Sequence, residues 1–291
     1  MPAVVVGDVE LFYELRREAD EPVLLLVMGL GGQLTSWDEG FCEELRRAGL
    51  GVLRFDNRDT GLSTSFDWFG PPNFEALLAG DPTLPYTLED LAADAAGLLD
   101  ALGIERAHVA GISLGGMIAQ AVAISYPHKV ASLCSIMSAT GAPGTLNPTE
   151  DALAVLLTPP AEDRQQYIDE QVTVWKVIGS PGFPFDEAAV RKKASAAYDR
   201  SYRPGGVARQ LAAILAAPDR TIALGSLQMP ALVVHGDDDA LIPVIGGVAT
   251  AEAIPGSRLL RIPGMGHDLP QSIWTEVASA IAHNAGIGAL G

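Results

Sequence analysis

The segment around residues 107–125 constrains the fold of this chain more than any other part of the sequence. Residues 107–110 form a short apolar run typical of a buried strand, and residues 114–125 have the small and apolar side chains of a packed helix. Between them lies a Gly-x-Ser-x-Gly sequence with Ser113 at its centre. A serine in a strained, tight turn requires neighbours without bulk two positions before and after it, and glycine occupies both positions. A strand, this turn and a helix together predict a nucleophile elbow.

The rest of the chain also alternates between strand and helix patterns. Residues 9–15 alternate apolar and polar side chains, as a half-exposed edge strand does, whereas residues 23–28 are apolar on both faces. Further strands are predicted at 51–55, 130–137, 231–235 and 258–262, and helices at 36–48, 87–102, 249–254 and 273–284. A capping box at residues 87–90 marks the start of the second of these helices. The alternation predicts an α/β fold with a mainly parallel sheet and helices on both faces.

The alternation is interrupted between residues 141 and 225. Three apolar helical faces follow one another there without a convincing strand: Ile168, Val172 and Trp175; Val190, Ala194 and Ala197; Val207, Leu211 and Ile214. We therefore predict a core formed by residues 1–140 and 226–291, with a helical cap at 141–225 over the working edge of the sheet. The alternative is that these helices only extend the core.

Composition narrows the class of protein. A chain of 291 residues with 48% hydrophobic residues can bury a large core, and its formal net charge of −17 argues against nucleic acid or an anionic membrane as partner. No signal peptide, membrane span, disulfide framework or metal site is predicted, and Cys42 and Cys134 are expected to be core residues. The cytoplasm is the expected location. The sequence does not determine the oligomeric state, and a homo-oligomer is one of the alternatives.

A serine nucleophile needs a histidine base, and His267 is the candidate among five histidines. It follows the last predicted strand, in the loop 264–270, at the edge where open α/β sheets bind ligands. The other four lie in the elbow strand, after the elbow helix, at the end of a strand and in the terminal helix: His108, His128, His235 and His283.

The third member of a triad is an acid that orients the histidine. The loop after the strand at 231–235 offers Asp237, Asp238 and Asp239. The chain order serine, acid, histidine is typical of a catalytic arrangement. Spacing alone does not choose among the three aspartates.

Four stretches resemble the α/β-hydrolase superfamily, and within it the aclacinomycin methylesterase type: residues 26–29, 55–64, the elbow and 262–267. The resemblance covers nearly the whole chain. It implies that the acid lies three residues after Gly236 and four before Pro243, which selects Asp239, with Asp237 as the fallback. Arg58, in the second stretch, is expected to brace loops through carboxylates or carbonyls.

The same resemblance implies an oxyanion hole made of the backbone N–H groups of Leu30 and Leu114. Many members of the superfamily carry His-Gly where this chain has Met28 and Gly29. The backbone donor is retained, but a side chain that often braces this loop is lost. Gly29 and Trp175 are the candidate substrate-binding residues.

The expected activity is hydrolysis of a small-molecule ester through an acyl-enzyme, without a metal or an organic cofactor. The resemblance implies a hydrophobic ester, with the methyl ester of a polyketide as one candidate. A serine at the elbow argues against haloalkane dehalogenases and epoxide hydrolases, which place an aspartate there. Cofactor-free haloperoxidases (perhydrolases), C–C hydrolases and thioesterases share the triad and remain alternatives, as does a ligand-binding module of the same fold.

Overall fold

A computed structural model describes residues 2–80 and 83–287, and within them eight strands form one sheet. The strands are β1 (Ala3–Val6), β2 (Val9–Arg16), β3 (Val23–Val27), β4 (Gly51–Phe55), β5 (Ala107–Ile112), β6 (Val130–Ile136), β7 (Ala231–Gly236) and β8 (Arg258–Ile262). Their order across the sheet is β1-β2-β4-β3-β5-β6-β7-β8. The strands from β4 to β8 are mutually parallel, and β2 is antiparallel to both β1 and β4.

Eleven α-helices accompany the sheet in the described residues. They are α1 (Glu39–Arg47), α2 (Phe74–Leu78), α3 (Leu88–Ala101), α4 (Leu114–Ser125), α5 (Glu150–Leu156), α6 (Arg164–Ile178), α7 (Glu187–Arg200), α8 (Pro204–Ala216), α9 (Thr221–Leu224), α10 (Val244–Ala253) and α11 (Trp274–Asn284). The predicted α/β class, with a mainly parallel sheet and helices on both faces, is confirmed.

The central strands supply both cores by alternation. In β3, Leu25 and Val27 join the cluster under α3 and α4, whereas Leu24 and Leu26 join the cluster under α1 and α11. Successive side chains of a strand point to opposite faces, so a strand that is apolar at every position must be covered on both sides. Each such leucine contributes about 1.5–3 kcal/mol by leaving water.

One prediction about the sheet is wrong. Residues 9–15 are not an edge strand, because β1 pairs outside β2, with Val6 opposite Val9 and Ala3 opposite Phe12. Side-chain alternation reports which faces of a strand are buried. It carries no information on whether another strand is hydrogen-bonded to its edge.

Helix starts agree with the sequence where a cap is explicit. Thr87 and Asp90 form the predicted capping box at the start of α3. In contrast, α10 begins at Val244, five residues before the predicted start at 249. Its first turns contain Gly246 and Gly247, which lower helix propensity, and Gly247 allows the helix to approach His235 of β7 closely.

Between β6 and β7 the chain forms α5 to α9 and no strand. The face that α8 buries differs from the predicted apolar stripe: Gly206, Arg209, Gln210, Ala212 and Ala213 are buried, whereas Val207 is 38% exposed. Arg209 makes a two-pronged ion pair with buried Asp59, with N–O distances of 2.7 and 2.8 Å. This helix docks through paired polar groups, which a hydrophobic pattern does not report.

Within residues 2–80 and 83–287, no helix combines the length and apolar character needed to cross a membrane. The predicted second core segment, 226–291, includes residues 288–291, which lie outside the described residues.

Candidate active site

The turn between β5 and α4 holds Ser113 in a strained backbone conformation. Ser113 has φ 56° and ψ −121°, a positive φ that is rare for residues other than glycine. A Cβ atom on Gly111 would lie 1.9 Å from the carbonyl oxygen of Gly115, and one on Gly115 would lie 2.1 Å from that of Val27. Only glycine fits at these two positions, so the turn depends on both.

The strained turn is also held from the neighbouring strand. The Ser113 amide donates to the carbonyl of Ile136 at 2.9 Å, and the Ser138 hydroxyl donates to the Ser113 carbonyl at 2.8 Å. Sequence reasoning did not identify Ser138, since nothing in a sequence shows that β6 ends beside the elbow. The Ser113 side chain itself is partly exposed.

His267 and Asp239 are brought together by the loops after β8 and β7. The distance from His267 Nδ1 to Asp239 Oδ2 is 2.7 Å, and the two residues are 6% and 5% exposed. The other carboxylate oxygen accepts the amides of Leu241 and Ile242, each at 2.9 Å. Because a carboxylate only accepts, Nδ1 carries the proton, and Nε2 of a neutral His267 is left as a base.

The other two aspartates of the loop have different partners. Asp237 accepts from the Arg261 side chain at 2.7 Å, and Asp238 accepts from the Gly264 amide at 2.9 Å. Both therefore tie the loop after β7 to β8 and the segment that follows it. Of the three, Asp239 contacts the histidine.

His235 lies next to Asp239 and is hydrogen-bonded to the loop that carries it. Its Nε2 donates to the carbonyl of Ile242 at 2.8 Å and lies 3.7 Å from Asp239. Burial lowers the pKa of His235, so the ring stays neutral. A neutral His235 ring carries no positive charge that would compete with His267 for the Asp239 carboxylate.

Helix α6 and the residues after it brace the histidine loop. The His267 amide donates to the Ile178 carbonyl at 2.7 Å, at the end of α6. The Ser180 hydroxyl accepts from the Gly266 amide at 2.8 Å and donates to the Asp268 carboxylate. Burial raises the pKa of Asp268. The position of His267 thus depends on a segment about 90 residues away in the sequence.

The loop after β3 lies directly against the elbow. Its turn is closed by the Gly32 amide donating to the Gly29 carbonyl at 3.0 Å, and a Cβ on Gly29 would lie 3.2 Å from Ser113 Cβ. Among the described residues, the amides of Leu30 and Leu114 have no acceptor. Leu114 is also the first residue of α4, where the helix dipole favours negative charge. Both of the predicted oxyanion donors are therefore without an acceptor in the described part of the chain.

Arg58 braces the loop after β4, as predicted. Its guanidinium donates two hydrogen bonds to Asp94 of α3, each at 2.7 Å, and lies over the rings of Phe66 and Tyr86. This pair is buried, and these three partners of the Arg58 guanidinium belong to α3 and to the segment between β4 and α3, so its role is structural.

The aromatic residues of the helical segment have different surroundings. Tyr167 packs with Tyr198 and Tyr202, at ring-centroid distances of 5.5 and 5.2 Å, and Phe183 packs against the core under α1 and α11. Trp175 is half-buried, one turn before the end of α6 that holds the histidine loop.

In the described part of the chain, no group of three or more histidine, cysteine, aspartate or glutamate side chains is placed to hold a metal ion. Both cysteines are buried, and burial raises the pKa of the Cys42 thiol to about 11.

Comparison with known proteins gives the family of the chain and several relatives. The family described as "alpha/beta hydrolase fold" matches residues 22–270. Rhodomycin D methylesterase DnrP of Streptomyces peucetius is 30% identical over 286 residues, and DauP of Streptomyces sp. (strain C5), of the same description, is 29% identical over 291; each match covers 90% of both chains. A thermophilic esterase from Thermogutta terrifontis, solved with malate bound, is 25% identical with a TM-score of 0.71, covering 97% of both chains.

Proposed function

Because the chain belongs to the α/β hydrolase family, we propose that it is a serine carboxylic-ester hydrolase that works through an acyl-enzyme. The hydrogen bond between His267 and Asp239, which fixes the tautomer of a histidine base, is the observation that carries this function, and the strained turn at Ser113 supports it. The named esterases among its relatives support the same class of reaction.

Acylation begins when Ser113 Oγ attacks the ester carbonyl carbon. His267 Nε2 takes the hydroxyl proton, and Asp239 stabilises the resulting imidazolium through Nδ1. The carbonyl oxygen becomes an oxyanion and accepts hydrogen bonds from the amides of Leu30 and Leu114. Each such donor raises kcat by a factor of about 10²–10³. His267 then gives its proton to the leaving alcohol as the tetrahedral intermediate collapses to the acyl-enzyme.

Deacylation repeats the same proton path with water. His267 removes a proton from a water molecule that attacks the acyl carbon, and the oxyanion forms again at the same two amides. The proton returns to Ser113 Oγ as the acid product leaves. Each step uses only groups of this chain, the ester and water.

The proposed substrate is an ester with an apolar or aromatic group. Val207, Leu211 and Ile214 share one face of α8 that is exposed or half-buried, and Val207 reaches the loop after β3, 2.8 Å from a Cβ built on Gly31. An apolar face beside the oxyanion loop favours an apolar substrate group. With Gly29 and Trp175, these residues are the proposed substrate contacts, and methyl esters of polyketides are the first candidates, since DnrP and DauP are rhodomycin D methylesterases.

Hydrolysis of p-nitrophenyl esters from acetate to octanoate tests this function. Wild-type protein should turn them over, and Ser113→Ala should lower kcat by about 10⁴-fold or more while its Tm is unchanged. Ser125→Ala, at the exposed far end of α4, is the matched control and should keep full activity. Wild-type turnover that survives in Ser113→Ala would reject Ser113 as the nucleophile.

The same preparations separate ester hydrolysis from reactions that share the triad. A thioester, a β-diketone and hydrogen peroxide with acetate are offered at matched concentrations. The proposal expects kcat/KM for the best ester to exceed the values for the other three. A higher value for any of them would assign the chain to that reaction instead.

A further inference from the structure

Gln210 is a fully buried glutamine of α8 that joins three segments of the protein. Its Oε1 accepts from the Gly31 amide at 2.9 Å, and its Nε2 donates to the Arg58 carbonyl at 2.9 Å and to the Thr60 hydroxyl at 2.8 Å. We propose that Gln210 is a positioning residue for the oxyanion loop, holding the turn that carries the Leu30 amide; this rests on the proposed function.

The direction of the Gln210 side-chain amide is fixed by its partners. The Arg58 carbonyl can only accept, so the NH₂ group must face it. The carbonyl oxygen of Gln210 therefore faces Gly31, whose amide can only donate. A glutamine reversed end for end would place two acceptors together and two donors together. This network therefore allows one orientation of the Gln210 side-chain amide.

The Gly31 amide is a sensitive point of the turn. The turn runs from Gly29 to Gly32, so the central peptide, between Leu30 and Gly31, contains the N–H that Gln210 holds. Turns of types I and II differ by a rotation of this central peptide, and glycine after it accepts either sign of φ. Gly31 has φ 65°, so the turn adopts the arrangement with a positive φ at this residue, one of the two that glycine allows. The preceding peptide, between Gly29 and Leu30, carries the proposed donor and is joined to the central peptide through the Leu30 Cα atom, so a hydrogen bond that holds the central peptide restrains both.

Gln210 also replaces a brace that the sequence lacks. Met28 stands where many members of the superfamily carry a histidine. In this chain the loop is held from outside instead: the Asn57 side chain donates to the Met28 carbonyl at 3.1 Å, and Gln210 holds the turn itself. Val207, three residues before Gln210, packs on Gly31. Helix α8 thus contacts the turn through both an apolar and a polar side chain.

Gln33 provides a matched control for this role. It is 4% exposed, and its Nε2 donates to the carbonyls of Ala197 and Ser201 at 2.8 and 2.9 Å. Like Gln210, it is a buried glutamine that links this region to the helical segment. It does not contact the Gly31 amide. Loss of either glutamine removes the acceptor of one donor, the Gly31 amide or the Arg200 guanidinium, and the donor to two oxygens, so the two variants should lose similar stability.

The experiment compares Gln210→Met with Gln33→Met in the full-length protein. Steady-state kcat and KM are measured with p-nitrophenyl butyrate, together with Ki for an alkyl trifluoromethyl ketone, whose adduct with the serine places an oxyanion in the hole. For Gln210→Met we expect kcat to fall by about 10- to 100-fold, less than the loss of a whole donor, with KM within about 3-fold. The ketone Ki should rise by the same factor as kcat falls. Gln33→Met should change both by less than about 3-fold.

Two results would overturn this role of Gln210. One is an equal loss of kcat in both variants, which would mean that only stability is affected. The other is a fall in kcat without a matching rise in Ki for the ketone. If Gln210→Met does not fold, Gln210→Asn carries the test, because its amide keeps the polarity but is one methylene too short to span Gly31 and Arg58. A wild-type protein with neither turnover nor ketone binding would instead reject the proposed function.

Discussion

The elbow and the two loops beside it are built in different ways. The elbow is made by the core: Ser113 lies between consecutive elements, β5 and α4, and its turn is fixed by glycines that contact β3 and each other. The histidine loop and the oxyanion loop are completed by the helical segment between β6 and β7. Ile178 and Ser180 hold the first, and Gln210 holds the second.

This difference separates the proposed nucleophile from the groups that are proposed to act on it. Packing of the core keeps Ser113 in place whatever the helical segment does. The loops of the proposed base and of one proposed oxyanion donor are instead hydrogen-bonded to that segment, where substrate contacts are also proposed. The helical segment therefore has two proposed tasks: it selects substrate, and it aligns the proposed catalytic groups around the serine.

The largest change in kcat is expected for a substitution in the loop after β7, which carries the proposed acid. Asp239→Asn should lower kcat by about 10⁴-fold, because an amide no longer fixes the His267 tautomer. Asp237→Asn and Asp238→Asn should each cost less than about 10-fold, since those side chains contact Arg261 and the Gly264 amide. Steady-state kinetics on one ester checks all three. Equal losses at Asp237 and Asp239 would contradict the assignment of the acid.

A second prediction concerns the elbow. Gly115→Ala should lower activity and stability together, because the new methyl group meets the Val27 carbonyl in the core. Overpacking of this kind costs about 1–3 kcal/mol, a fall in Tm of several degrees. Thermal unfolding and kcat are measured side by side. Gly225→Ala, at a helix end with φ −63°, is the control, and its Tm and kcat should change little. A Gly115→Ala variant with wild-type Tm and kcat would contradict the proposed role of the elbow turn.

A third prediction concerns the histidine loop and has the smallest effect. Ser180→Ala removes the acceptor of the Gly266 amide and the donor to Asp268, so His267 should lose some of its alignment. We expect kcat to fall by about 10-fold with little change in Tm. Ser195→Ala, at a serine of α7 that contacts Arg164 instead, should leave kcat unchanged. A loss of Tm in proportion to kcat would show that this loop is braced as the elbow is, and the contrast would fail.

Sequence patterns predict the elbow well because its causes are local. Apolar residues, a glycine pair and small helix residues follow one another over 19 residues, and β5 and α4 lie where the pattern places them. The capping box at Thr87 and Asp90 is correct for the same reason. Chain order and the resemblance predict His267 and Asp239, and the contact between them depends on β7 and β8 being adjacent in the sheet.

The braces could not be predicted, since they pair residues far apart in the chain. Gln210 and Gly31 are 179 positions apart, and Ser180 and Gly266 are 86 apart. Hydrophobic periodicity also pointed to the wrong buried face of α8, because that helix buries Arg209 and Gln210 rather than its apolar stripe. The burial of a polar side chain can be predicted from a sequence only when its hydrogen-bond partner is known.

Mass spectrometry of a rapidly quenched reaction tests the central claim most directly. The wild-type protein is mixed with a p-nitrophenyl ester, stopped in acid, and digested to locate any adduct. We predict a mass increase equal to the acyl group on the peptide that contains Ser113, and its absence in Ser113→Ala. Turnover with no adduct on that peptide, or an adduct on another residue, would contradict an acyl-enzyme at Ser113.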